Sequence, residues 1–380
     1  MKFRKRRTTL NSLLMVSCAA GIAYASLMTA EEDQQPFAWE RHVINADSPY
    51  ESAGMGDMNG DGKMDIVSGA FWYQAPDWTR TRIAEMEAVN EYYDDFATEL
   101  IDMDGDGDLD VLSCAWFSQQ VFWREQPNED GAEVWPVHVV DKPGNMETGF
   151  AYDVDQDGLA DFVPNLNKEV IWYRQTEDGS WQKETLGTDG AGHGLGVGDL
   201  NGDGDNDFIT PTGWYTQKDG EWHFLSEFEL GSASFPILVH DVNEDGLADI
   251  IWGMGHDYGL FWLEQRMALG ERHWQKHEID TSWSQAHYLA MVDLDGNGSE
   301  ELVTGKRYRA HNGNDPGSED PKVIYVYSYD PSAETWSRYP VQEEGPAAFG
   351  LNPAIGDLDG DGDLDLVTPG KSGLYWFEQK

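Results

Sequence analysis

Asp102-Met103-Asp104-Gly105-Asp106-Gly107-Asp108-Leu109-Asp110 is one of seven copies of a nine-residue pattern in this chain. The other copies begin at Asp57, Asp153, Asp199, Asp241, Asp293 and Asp357. Positions 1, 3, 5 and 9 are Asp, Asn or Glu in every copy, and position 6 is always Gly. Side-chain oxygens at positions 1, 3 and 5 converge on one point when the loop curls, and glycine permits the sharp turn. A carbonyl at position 7 and the acid at position 9 complete the roughly six to eight oxygens that Ca2+ takes. The expected ligands are Asp57, Asn59, Asp61 and Asp65; Asp102, Asp104, Asp106 and Asp110; Asp153, Asp155, Asp157 and Asp161; and Asp199, Asn201, Asp203 and Asp207. The remaining loops supply Asp241, Asn243, Asp245 and Asp249; Asp293, Asp295, Asn297 and Glu301; and Asp357, Asp359, Asp361 and Asp365. Up to seven calcium ions are expected.

The pattern resembles the first half of an EF-hand loop, but no copy has the Glu at position 12. Strand-like residues follow at once, as in Asp65-Ile66-Val67 and Asp365-Leu366-Val367. Strand–loop–strand is therefore expected instead of helix–loop–helix. Successive copies start 45, 51, 46, 42, 52 and 64 residues apart, the period of propeller blades. An aromatic cluster follows each loop, for example Phe71-Trp72-Tyr73, Phe261-Trp262-Leu263 and Tyr375-Trp376-Phe377. A Trp-led strand comes next, at Trp78, Trp135, Trp181, Trp222, Trp274 and Trp336. The seventh such strand, Trp39 to Ile44, precedes the first loop. These observations predict an all-β, seven-bladed β-propeller over residues 31–380. Each acidic loop joins the first two strands of its blade, and the N-terminal strand closes blade 7. Closure removes exposed sheet edges. The recurrent Trp and Tyr are expected to form the inter-blade core.

The chain has 380 residues and a formal charge of −45, from 70 acids against 25 Lys and Arg. That excess argues against a nucleic-acid partner, because phosphate binding needs a basic surface. Residues 1–30 read as an export signal and short linker. Lys2, Arg4, Lys5, Arg6 and Arg7 precede an apolar run from Leu13 to Ala25, which ends in Ala23-Tyr24-Ala25. The run is too short to span a bilayer comfortably. A secreted, periplasmic or cell-surface protein without a transmembrane helix is expected. General secretion, a twin-arginine route through Arg6-Arg7 and a lipoprotein route through Cys18 all remain open. Loss of the segment leaves Cys114 as the single cysteine, so a bound metal is the available staple.

The Asp-x-Asp/Asn-x-Asp-Gly-x-x-Asp loop between strands resembles the FG-GAP and VCBS repeat family, which includes integrin α-subunit propellers. Phe349-Gly350 and Ser68-Gly69-Ala70-Phe71 are the nearest flanking echoes of the family letters. The resemblance implies calcium at positions 1, 3, 5 and 9 of each loop. Its architecture is also similar to some polysaccharide lyases and to the propeller domain of aldos-2-ulose dehydratase.

In that topology, the starts of the inner strands and the second-to-third-strand connections share the face opposite the acidic loops. Six residues before the respective loops stand Glu51, Glu147, His193 and His287, with Asp95 beside Phe96. Inner strands converge on the axis, so two carboxylates and two histidines are expected to meet at one mouth. Such a set suits an acid–base pair or one further divalent metal. Two return connections are long. One carries His256 and Tyr258; the other carries Lys306, Arg307, Arg309 and His311. Long loops on a rigid scaffold often carry function. Candidate catalytic residues are His193, His287, Glu147, Lys306 and Arg307. Candidate ligand-binding residues are Glu51, Asp95, His256, Tyr258 and His311. Two classes of function fit: a carbohydrate lyase or dehydratase acting on a carbohydrate-like or anionic ligand, and a non-catalytic adhesion or glycan- or protein-binding module.

Overall fold

The computed structural model describes residues 36–127, 134–176 and 178–380. The segment expected to direct export, residues 1–30, lies outside the described residues. The described chain forms seven four-stranded antiparallel sheets arranged as the blades of a β-propeller. Blade 1 is Gly54–Gly56, Asp65–Ser68, Phe71–Gln74 and Thr79–Arg82. Blade 7 is Ala354–Gly356, Asp365–Thr368 and Leu374–Gln379, with Trp39–Asn45 as its outermost strand. Trp39 pairs with Gln379 and Val43 with Tyr375, so the expected closure is present. Among the described residues no helix is long and apolar enough to cross a membrane.

The acidic loops lie between the first and second strands. All seven position-6 glycines adopt positive φ, from 86° at Gly62 and Gly246 to 101° at Gly362. A Cβ there would meet nothing within 4 Å, so the left-handed backbone selects glycine, and crowding does not. Position 9 begins the second strand and is buried in every copy. Its carboxylate ties three strands together: Asp110 accepts the Met103 N–H at 2.9 Å and the Gln126 N–H at 2.8 Å. Asp161, Asp249 and Asp365 repeat this arrangement.

Second strands are buried on both faces, as in Asp65–Ser68 and Asp249–Gly253. Third-strand aromatics fill the space between blades. Leu200, Ile209 and Trp214 of blade 4, for instance, join one core with Ile250, Trp252 and Phe261 of blade 5. Farther out, a Trp-x-Glu on the third strand meets a His on the fourth in three blades. His42 stacks on Trp376 at 4.3 Å and contacts Glu378 at 2.6 Å. His138 and His277 do the same with Trp123 and Glu125, and with Trp262 and Glu264.

Candidate functional site

Four side chains singled out by their place before the acidic loops meet at the axial mouth. Glu51 precedes the inner strand of blade 1, and Glu147 lies on Met146–Tyr152 of blade 3. His193 precedes Gly196–Gly198 of blade 4, and His287 lies on Ala286–Val292 of blade 6. Two residues from return connections join them: His256 between Asp249–Gly253 and Tyr258–Ala268, and Arg307 directly after Glu301–Lys306. Backbone bonds lace these segments across blades. The Ala233 N–H reaches the His193 carbonyl, the Phe235 N–H the His287 carbonyl and the Leu351 N–H the Glu51 carbonyl.

Arg307 is the hub. Its Nε donates to Glu51 Oε1 at 2.8 Å, and its Nη1 to Glu147 Oε1 at 2.5 Å and to His287 Nε2 at 2.7 Å. Its side chain is 1% exposed. Burial disfavours its charge, but Glu51 and Glu147 raise its pKa and hold it cationic. Burial alone would raise the Glu147 carboxyl; His193 and Arg307 beside it hold it well below the usual range. His193 Nε2 lies 2.9 Å from Glu147 Oε2. Burial opposes the His193 charge, yet Glu147 shifts its pKa upward. His256 is pushed down to about 4 by burial and by His193. His287 is pushed well down by burial and by Arg307.

The remaining candidates separate. His311 reaches the cluster indirectly: its Nδ1 contacts Asp315 at 2.9 Å, and its ring stacks on His256 at 4.2 Å. Lys306 points elsewhere, donating to Ser284 Oγ and the Gly317 carbonyl, both at 2.7 Å. It therefore fastens the base of its own loop. Asp95 is buried against Ser113 and Arg124. The Tyr258 hydroxyl donates to Asp320. Asp95, Tyr258 and Lys306 are thus not part of the mouth cluster.

Above Glu147 and Arg307 opens a cavity of about 290 Å³, lined also by Asn90, Tyr92, Phe96, Trp116, Phe117, His311 and Asn312. Tyr92, Phe96 and Phe117 are mutually tilted, with centroids 6.1 to 6.4 Å apart. Lys371 Nζ sits 3.4 Å from the Tyr92 centroid and 3.9 Å from Glu51. Sequence reasoning missed Tyr92, Trp116, Phe117, Asp315 and Lys371. Trp116 and Lys371 were findable, because both lie in second-to-third-strand connections on the mouth face. Both connections are short, so their length carries no signal of function.

At the other end of the axis, a channel of about 660 Å³ holds Glu99. Burial pushes its carboxyl up from 4.5 to about 7, against the opposing effect of the Asn352 amide 3.1 Å away. Between these two pH values the folded chain keeps a proton that the unfolded chain has lost. Stability therefore falls as pH rises from about 4.5 to about 7, and the cost persists above that. Glu99→Gln should raise stability at pH 8 by up to about 3 kcal/mol and leave it nearly unchanged at pH 4. Denaturant melts at the two pH values check this; equal effects at both would contradict it.

The acidic loops have the donor chemistry for calcium. In the first, Asp57 accepts the Asp61 and Gly62 N–H groups, which curls the chain and brings positions 1, 3 and 5 to one side. Ligand oxygens of Asp102, Asp104 and Asp110 lie within 4.8 Å of one another, as do those of Asp153, Asp155 and Asp161. Burial pushes the position-9 carboxyls of Asp110, Asp207 and Asp249 up to about 7. Carboxylates crowded and buried in this way suit a hard divalent cation.

The FG-GAP-like repeat family matches residues 102–163, 153–210 and 293–368. Comparison with curated protein sequences finds no match. Among solved structures, a chain of BBS1N in complex with ARL6DN has a TM-score of 0.52 at 12% identity, over 90% of this chain and 96% of that one. An Agrocybe aegerita lectin, described as recognising non-reducing terminal N-acetylglucosamine, has a TM-score of 0.48 at 17% identity, over 87% and 85%. Bacillus licheniformis rhamnogalacturonan lyase PL11 has a TM-score of 0.47 at 14% identity, over 89% and 72%. At these identities the likeness is one of fold. With its seven blades and their recurrent acidic loops, the chain belongs to the FG-GAP-like repeat β-propellers.

Proposed function

We propose that this propeller is an exported protein, stapled by calcium in its seven loops, that binds a carbohydrate-like or anionic ligand in the axial mouth. One observation carries the reading: an aromatic-walled cavity stands over a charged floor. Aromatic faces bury the apolar side of a sugar ring, while Glu147, Arg307 and Asn312 offer acceptor and donor groups to its hydroxyls or carboxylate. Loss of Trp116 should weaken binding about ten- to a hundred-fold, the scale of one buried aromatic side chain. Titration of wild type and Trp116→Ala with neutral oligosaccharides, uronic-acid polymers and keto-sugars checks this. Absence of binding across that panel would sink the reading.

Lyase or dehydratase chemistry is a second reading, favoured by the position of Arg307. Its guanidinium touches both Glu147 and His287, so a cation for a developing enolate stands beside candidate bases. Release of an unsaturated product from a bound sugar separates an enzyme from a binding module.

A further inference from the structure

We propose that Glu147, His193, His256 and His287 hold one divalent transition-metal ion at the axial mouth, distinct from the calcium loops. Their ligand atoms all lie within 4.8 Å of one another. Four blades supply them, so the arrangement is a product of the closed ring. Three imidazoles and one carboxylate suit zinc, iron, cobalt or nickel, whereas calcium takes oxygen ligands.

The ring nitrogens define where the ion belongs. His193 Nδ1 lies 2.7 Å from the Ala233 carbonyl oxygen, so that nitrogen carries the proton. His256 Nδ1 lies 2.8 Å from the Asp315 carboxylate and is protonated for the same reason. The two Nε2 atoms are left facing each other at 2.9 Å. In neutral rings both are lone pairs, and such a contact is repulsive unless a cation shares them. Ligands at right angles or tetrahedrally disposed around an ion, with bonds of about 2.1 Å, are about 3.0 to 3.4 Å apart. His193 Nε2 and Glu147 Oε2 are 2.9 Å apart, and His287 Nε2 and Glu147 Oε1 are 3.4 Å apart. Outer bonds from Nδ1 to a carbonyl and a carboxylate are the usual orienting partners of metal-bound histidines.

Packing preserves the geometry. A Cβ on Gly255 would come within 2.8 Å of Cε1 of both His193 and His287. The His287 ring is buried, and its Nδ1 has no hydrogen-bond partner among the described residues. Its Nε2 accepts from Arg307, which also holds Glu51 and so stays paired when an ion takes that lone pair. Charge also favours the ion. The carboxylates of Glu51, Glu147 and Asp315 exceed the cations Arg307 and Lys371 by one. A divalent ion makes the floor of the cavity net positive, which attracts an anionic ligand. That last consequence rests on the ligand reading above; the ion site itself does not.

A proton on His193 would fill the same gap, and titration separates the two. Full-length protein saturated with Ca2+ and stripped of transition metals is titrated with Co2+. One equivalent should bind with visible ligand-field bands and release of protons. The His193→Ala/His256→Ala double variant and Gly255→Ala should each weaken that affinity about 100-fold or more while keeping calcium content and a cooperative unfolding transition. His256→Gln serves where the double variant fails to fold. No Co2+ equivalent in the presence of excess Ca2+, or undiminished binding in the variants, overturns the proposal. Saccharide titrations on metal-free and Co2+-loaded protein run in parallel. Saccharide binding without Co2+ binding removes the ion alone; Co2+ binding without saccharide binding to either form removes the ligand reading alone.

Discussion

Chelating calcium at constant ionic strength should lower the melting temperature by more than about 10 °C, and added Ca2+ should restore it. Each ion that binds the folded loop and not the dispersed chain contributes about 2.7 kcal/mol at a hundred times its dissociation constant. Seven loops act on one closed ring, so even partial occupancy sums to a large effect. The loops also carry the blade connectivity. Position 9 accepts N–H groups from the loop and from the third strand, so relaxation of the loop loosens three strands at once. Without an ion, the carboxylates of Asp102, Asp104 and Asp110 repel one another within 4.8 Å. Mg2+ should restore little, since it is smaller and keeps its water. A melting temperature indifferent to chelation, or fewer than about four calcium ions per chain by elemental analysis, would contradict the calcium assignment.

Arg307→Ala should be the most damaging single substitution at the mouth, costing about 3 to 5 kcal/mol. It leaves Glu51 and Glu147 buried without their shared cation. Arg307→Lys should recover only part of the loss. An ammonium is a point donor and cannot reach both carboxylates and the His287 ring as the planar fork does. Denaturant unfolding of both variants beside wild type measures this. A loss below about 1 kcal/mol for Arg307→Ala would show that water or a neighbouring cation replaces it. Lys371, 3.9 Å from Glu51, is the neighbour to test next.

The scaffold was readable because its signals are local. A nine-residue loop, an aromatic third strand and a Trp-led fourth strand each depend on residues within one blade. Their phase shift at Trp39 then implied the ring closure that pairs Trp39 with Gln379. Part of the mouth was legible by the same counting, since Glu51, Glu147, His193 and His287 stand at equal offsets from their loops. Counting could not reveal which side chains turn inward. Asp95 shares the neighbourhood but turns to Arg124, and Lys306 turns to Ser284, while its neighbour Arg307 enters the cluster.

The sequence by itself determined the repeat, the strand order and the acidic loops, because those follow from spacing and backbone chemistry over a few residues. Only the tertiary structure decided the composition of the mouth. Arg307 and Glu51 are 256 residues apart, and His193 and His256 are 63 apart. Closure of seven blades around one axis makes them neighbours, and side-chain direction at the axis depends on packing from every blade.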